Sequence, residues 1–253
     1  MNTVANADFN GIVMFERSHR ENDLLVKFLT KEHGKRMFFI RNAKKVDFKL
    51  RSAILPFSHG QYTGLIRSNG LSYINAALDV QQFENIFQDI TLNAYATFVL
   101  NLVDAAFDDN VKITSWFERI NRALILIDAG NDAEIITDLI QIQLLNSFGV
   151  SITWDHCVIC GRTDLPLDYS EAFGGMLCQS HWERDEHRWH LKPKSARIIG
   201  ILSAVSIFKL GQISISKETK QEIWNLTADI YKNQVGINLK SRSFIDQMKK
   251  WEI

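Results

Sequence analysis

Four residues stand in a pattern that can do chemistry: Cys157, Cys160, Cys178 and His181 form a C-x2-C-x17-C-x2-H array that uses every cysteine in the chain. Two ligand pairs, each with two-residue spacing, can close one tetrahedral zinc site. Each pair makes a knuckle whose side chains converge, and the intervening span is the length of a small hairpin. Gly174 and Gly175, just before Cys178, suit the tight backbone that such a knuckle needs.

His156, His187 and His190 also lie nearby, but only His181 sits at the same two-residue spacing from Cys178 that separates Cys157 from Cys160. His181 is therefore the expected fourth ligand. A full tetrad of protein ligands leaves no open position for water or substrate, so the expected role of one Zn2+ per chain is structural. It would fold a module over residues 151–190 that is too small for a core of its own.

The elements that must hold this module change character along the chain. Gly11–Phe15, Leu24–Thr30 and Arg36–Arg41 are short apolar runs broken by polar turns, and Tyr62–Arg67 and Leu71–Ala76 flank Asn69-Gly70, a strong hairpin signal. Five short strands in under eighty residues predict a small closed barrel over residues 1–79. The oligonucleotide-binding (OB) fold is the commonest five-stranded version, although an SH3-like barrel would give a similar string. After Ala77 the period becomes helical: Phe83, Ile86, Phe87 and Ile90, then Tyr95, Phe98, Val99, Leu102 and Phe107. Ser115 with Glu118 reads as a capping box, Gly130 as a helix stop, and a further helix is expected from Asp132 towards Gly149. Ser195–Ile253 is helical in pattern too. The expected organisation is α+β and multidomain: the barrel, a helical domain from 80–150 and 191–253, and the zinc module as an insertion.

Composition bounds the function. The chain has 253 residues, 46% of them hydrophobic, and a net charge of zero. No run of about 18 apolar residues predicts a membrane span. The start, Met1-Asn2-Thr3-Val4, lacks the pattern of a secretory leader, and three cysteines in metal register point to a reducing, cytoplasmic compartment. The zero charge is a cancellation: residues 1–80 hold 12 Lys and Arg against 7 Asp and Glu, and residues 81–150 hold 3 against 10. Such asymmetry predicts a basic surface for phosphates and an acidic one for protein or solvent. Arg36, Arg41, Lys44, Lys45, Lys49 and Arg51 crowd into sixteen positions, as a groove for a phosphate backbone would require. Phe38 and Phe39 alternate on one strand, so one of them must leave the barrel interior, either to stack a base or to lie under a neighbouring domain.

Other chemistries find little support. There is no G-x-x-x-x-G-K-[ST] and no G-x-G-x-x-G, so a nucleotide-phosphate cradle is not expected. His181-Trp182-Glu183 imitates the H-x-E of zinc deaminases, but there the histidine precedes the Cys-x-x-Cys, and here it follows. His19 and Asp23 read as solvated turn residues. The competing non-enzymatic reading is a zinc-stabilised adaptor that binds only protein.

Local motifs follow one another in a specific order along the chain: Gly11-Ile12-Val13, Asp23-Leu24-Leu25-Val26, Phe28-Leu29-Thr30, His33-Gly34-Lys35 and Leu55-Pro56-Phe57. Further along come Cys157-x-x-Cys160-Gly161, Gly174-Gly175-Met176-Leu177-Cys178 and Leu239-Lys240-Ser241-Arg242-Ser243-Phe244. In this order they resemble the RecO family of bacterial recombination mediators, from about residue 9 to residue 248. It implies a bacterial, nucleoid-associated, non-enzymatic protein with an N-terminal OB-fold barrel, a helical domain and a zinc-type module. Such proteins bind single- and double-stranded DNA, anneal complementary strands and, with RecR, help RecA replace the single-strand binding protein. The chain departs from the family's common second Cys-x-x-Cys in having His181 at the last position, and a Cys3His set is ordinary for zinc.

Overall fold

The computed structural model describes residues 4–211 and 214–251. Residues 1–3, which entered the leader argument, and residues 212–213 and 252–253 of the expected helical domain lie outside the described residues.

Five antiparallel strands form the N-terminal sheet: β1 (Val4–His19), β2 (Asp23–Thr30), β3 (Gly34–Ile40), β4 (Ser58–Arg67) and β5 (Tyr73–Gln82). All five expected strands are present, in the spatial order β3-β2-β1-β4-β5. β1 is the centre of the sheet, pairing β2 along one edge and β4 along the other, with a bulge between Val13 and Phe15. The two outer strands also meet. Phe38 forms a parallel bridge with Ser72; the Phe39 amide donates to the Ser72 carbonyl at 2.8 Å, and the Ser72 amide to the Met37 carbonyl at 3.0 Å.

Alternation along the strands sends Phe9, Val13, Leu24, Val26, Phe28, Phe38, Tyr62 and Ile66 to one buried cluster. Its rings interlock: Phe9 stacks on Phe38 at 5.2 Å between centroids, and Phe28 meets Tyr62 edge-on at 5.0 Å. The Tyr62 hydroxyl donates to the Ala53 carbonyl at 2.7 Å, so the one polar atom it brings inside is satisfied.

Helices follow, as the change of period predicts, but with different joints. The apolar stretch after Phe83 is two helices, α1 (Glu84–Gln88) and α2 (Ile90–Ala106). They are separated by Asp89, whose carboxylate accepts from the Thr91 and Leu92 amides at 2.8 and 2.9 Å. The strand before them runs on to Gln82, past the expected change at Ala77. The Ser115–Glu118 capping box does not form. α3 begins at Thr114, its N-cap residue Ile113 has no side-chain cap, and Glu118 pairs instead with Lys31 at 2.6 Å. Gly130, at φ +81°, ends that helix as expected.

The chain packs as two compact units, Met1–Asn131 with Ser243–Ile253, and Asp132–Arg242. The second contains α4 (Ala133–Leu144), three short strands β6 (Thr153–Cys157), β7 (Leu167–Ser170) and β8 (Gly175–Cys178), then α5 (Pro193–Ala204) and α6 (Lys217–Ile230). α7 (Lys240–Lys250) completes the order. Asp132 caps α4 by accepting from the Ile135 amide, and its other carboxylate oxygen holds Lys220 of α6 at 2.7 Å. Among the described residues no helix is long and apolar enough to cross a membrane.

Candidate functional site

The metal-type array assembles on the three-stranded sheet. β8 lies between β6, which it meets in parallel, and β7, which it meets antiparallel. Cys157 ends β6 and Cys178 ends β8, so the two strands bring their C-terminal residues together. The first knuckle closes through Gly161, at φ +71°, whose amide donates to the Cys157 carbonyl at 2.8 Å. A β-carbon at Gly175 would fall 2.6 Å from Val158, so this position admits only glycine's close approach. His181 follows Cys178 on a 3-10 turn, Gln179–Arg184, locked by the Trp182 indole donating to the Leu177 carbonyl at 3.0 Å.

All four donor atoms lie within 4.8 Å of one another, and none of the cysteines is in a disulfide. Cys160 Sγ is 3.7 Å from Cys178 Sγ, and His181 Nδ1 is 3.5 Å from Cys157 Sγ and 3.3 Å from Cys178 Sγ. A tetrahedral ion at about 2.3 Å from sulfur and about 2.0 Å from nitrogen has sulfur–sulfur edges near 3.8 Å and sulfur–nitrogen edges near 3.5 Å. These three edges fit those of a tetrahedral metal site, and the remaining donor pairs lie within 4.8 Å. Burial pushes the Cys157 thiol up, but the amides of Cys178, Cys160 and Ile159 outweigh it and bring the thiol to about 6. Burial and the Cys157 and Cys160 thiols push Cys178 up. A cation among these sulfurs would favour the thiolate form of both.

The shell around the array is polar and ordered. Arg188 reaches Asp168 at 3.0 Å and lies 5.1 Å from the Trp182 ring centroid. The Asp168 carboxylate accepts from the His190 and Leu191 amides at 3.0 and 2.8 Å, fixing the chain as it leaves the module.

The basic residues of the first unit divide. Arg41, Lys44, Lys45, Lys49 and Arg51 are exposed on the segment that follows β3. That segment is well anchored. Ala43 is buried in the sheet core with Phe48 packed beside it, the Lys44 amide donates to the Asn22 carbonyl at 3.1 Å, and the Arg51 guanidinium to the Ala43 carbonyl at 3.1 Å. Asp23, read from sequence as a solvated turn residue, is buried, and its carboxylate accepts from the Asn42 amide at 2.8 Å. It anchors the loop.

Arg36 does not join the exposed set. It is 7% exposed, and its guanidinium donates to the His33 and Arg67 carbonyls, stitching β3 to the end of β4. Lys27 and Lys35 are likewise inside, at 2.6 Å from Asp109 and 2.9 Å from Asp104 respectively. Nothing local in the sequence marks these lysines as buried, because their partners lie some seventy to eighty residues away. Phe38 is buried, whereas Phe39 is partly exposed. Its neighbours His19 and Tyr73, like the anchor Asp23, were not marked by sequence as belonging to a site.

Comparison with known proteins agrees with this architecture. Residues 1–83 match the family described as Recombination protein O N terminal, and residues 87–243 match Recombination protein O C terminal. Together the sheet region and the helical region define an α+β protein of DNA recombination and repair. The DNA repair protein RecO of Limosilactobacillus reuteri is 49% identical over 244 residues, covering 96% of this chain and 94% of that protein. Those of Lactiplantibacillus plantarum and Enterococcus faecalis are 47% and 43% identical, covering 96% and 98% of this chain and 95% of each relative. The chain belongs to the RecO family.

Proposed function

We propose that this chain is a non-enzymatic recombination mediator that binds single- and double-stranded DNA through the anchored loop bearing Arg41, Lys44, Lys45, Lys49 and Arg51. It anneals complementary strands and, with RecR, helps RecA displace the single-strand binding protein. The carrying observation is the loop itself: five exposed cations on a segment whose backbone is tied down at Asn42, Ala43 and Lys44. Preorganised cations lose little entropy on meeting phosphates. The strand order, with β3 meeting the start of β5 in parallel, supports an OB-type barrel over residues 1–79. The donor edges at Cys157, Cys160, Cys178 and His181 support a structural zinc in the 151–190 module. The helical segments 80–150 and 191–253 are left for protein partners.

Salt titration tests the reading. Affinity for single strands should fall with salt on a log–log slope of roughly 0.7 per phosphate neutralised. The Lys44→Ala, Lys45→Ala, Lys49→Ala triple variant should flatten that slope by up to about two units and weaken binding to unrelated sequences alike. An unchanged affinity and slope would remove the loop from the DNA surface. A wild-type chain that bound no DNA at low salt would favour the adaptor reading.

A further inference from the structure

On the outer face of the N-terminal sheet, three half-buried rings from three strands form a row. Phe39 of β3 lies between His19, the last residue of β1, at 5.8 Å and 88°, and Tyr73, the first residue of β5, at 6.0 Å and 82°. The Arg67 guanidinium carbon sits 5.0 Å from the Tyr73 ring centroid. From these positions we infer that His19, Phe39, Tyr73 and Arg67 form a stacking platform for unpaired nucleic-acid bases. The inference rests on the DNA-binding reading above and adds to it a contact with bases as well as phosphates.

The inner and outer faces of the same strands show why packing does not explain the row. Phe9, Phe28, Phe38 and Tyr62 turn inward and are all but fully buried, filling the barrel interior. Phe39 is the outward neighbour of Phe38, and the row it joins lies outside that buried cluster. A T-shaped contact uses one face of one ring, so partly exposed rings in such a row keep surface for a further π partner. A guanidinium beside the row adds a cation that stacks on bases as readily as on tyrosine.

The surroundings favour a single strand as the occupant. The row ends at His19, and the turn that follows carries exposed Arg20 and leads to Asn22, whose carbonyl holds the Lys44 amide of the basic loop. Arg41 follows β3 directly, and Arg17 is exposed on β1. Glu21 and Asp47 are the exposed acids on these two turns, so cations outnumber them. Aromatic faces beside a phosphate-binding loop are the combination that holds unstacked bases, and a duplex hides its base faces from such a surface.

The test compares an oligothymidylate of about 16 nucleotides with an abasic backbone of equal length, which keeps the phosphates and removes the bases. Wild type should prefer the thymidylate by about fivefold or more. Phe39→Leu with Tyr73→Leu, checked for an unchanged melting transition, should bring the preference close to one while leaving abasic affinity, duplex affinity and salt slope as they were. The lysine triple variant should lower both ligands together and keep the preference. A preference that survives the double leucine variant, or is missing in a wild type that binds both oligonucleotides, overturns the platform and leaves the loop reading standing. Failure of wild type to bind either overturns both. A second measurement needs no variant: iodouracil-substituted strands irradiated with wild type should crosslink to His19, Phe39 or Tyr73, and crosslinks found only elsewhere overturn the assignment.

Discussion

Among the described residues, twelve buried side chains form the cluster inside the five-stranded sheet, whereas the cluster around the sulfurs of the three-stranded sheet holds only Cys157, Leu177 and Cys178. The first sheet is held by rings and aliphatic chains that exclude water over a large area. That cluster has two sulfurs among its three buried residues, with Val158, Leu165, Leu167 and Trp182 packed against it, while Trp154, Tyr169 and Met176 of the same strands are buried outside it. A cluster that small does not by itself hold the two knuckles against their chain entropy. The difference teaches what each region asks of its residues: the first is held by many apolar contacts, while around the sulfurs of the second the four donors Cys157, Cys160, Cys178 and His181 are the groups that a metal could tie together.

The sharpest way to break this contrast is Cys160→Ser. It should abolish binding of about one zinc per chain and open residues 151–190 to protease, because zinc contributes on the order of 10 kcal/mol to such small folds. Elemental analysis with limited proteolysis reads both outcomes, and a wild-type chain equally resistant without metal would contradict it. Phe28→Ala in the other sheet should cost about 3–5 kcal/mol by denaturant midpoint, with the metal content unchanged. Loss of zinc in that variant would mean that the two sheets do not hold themselves independently.

A smaller effect comes from His59, which stacks flat on Phe83 at 3.9 Å. Burial lowers its imidazole below the ordinary 6.5. The unfolded chain therefore takes up a proton at a higher pH than the folded chain. Stability is full above about pH 6.5 and declines as pH falls from there towards the folded value. His59→Gln should flatten the dependence of melting temperature on pH between about 7 and 5, and an unaltered dependence would assign the slope to other groups.

How much of this was legible in the sequence depends on the range of the interaction. The cysteine array was legible because each ligand pair is set by two-residue spacing, and the strands were legible because alternation and Asn69-Gly70 are local signals. β1 proved longer than expected, Val4–His19, because polar Asn6, Asp8 and Asn10 on its wet face hide the strand from a search for apolar runs. Arg36, Lys27 and Lys35 count as basic in any charge tally, but their destinations are set by His33 and Arg67 carbonyls and by Asp104 and Asp109. The capping box at Ser115 failed for a similar reason: Lys31, nearly ninety residues earlier, takes Glu118.

The seam between β3 and β5 has a dynamic consequence. Where β2 pairs β3 in register from Leu24 to Thr30, the seam rests on the Phe39 and Ser72 amides at 2.8 and 3.0 Å. A junction with so few amides breathes more readily than the rest of the sheet, and hydrogen exchange at Phe39 and Ser72 should be faster than at Leu25 or Val26. Phe39 and Tyr73 stand on opposite lips of that seam. A strand stacked across both would clamp it, so slowed exchange at these two amides would report occupancy from within the sheet itself.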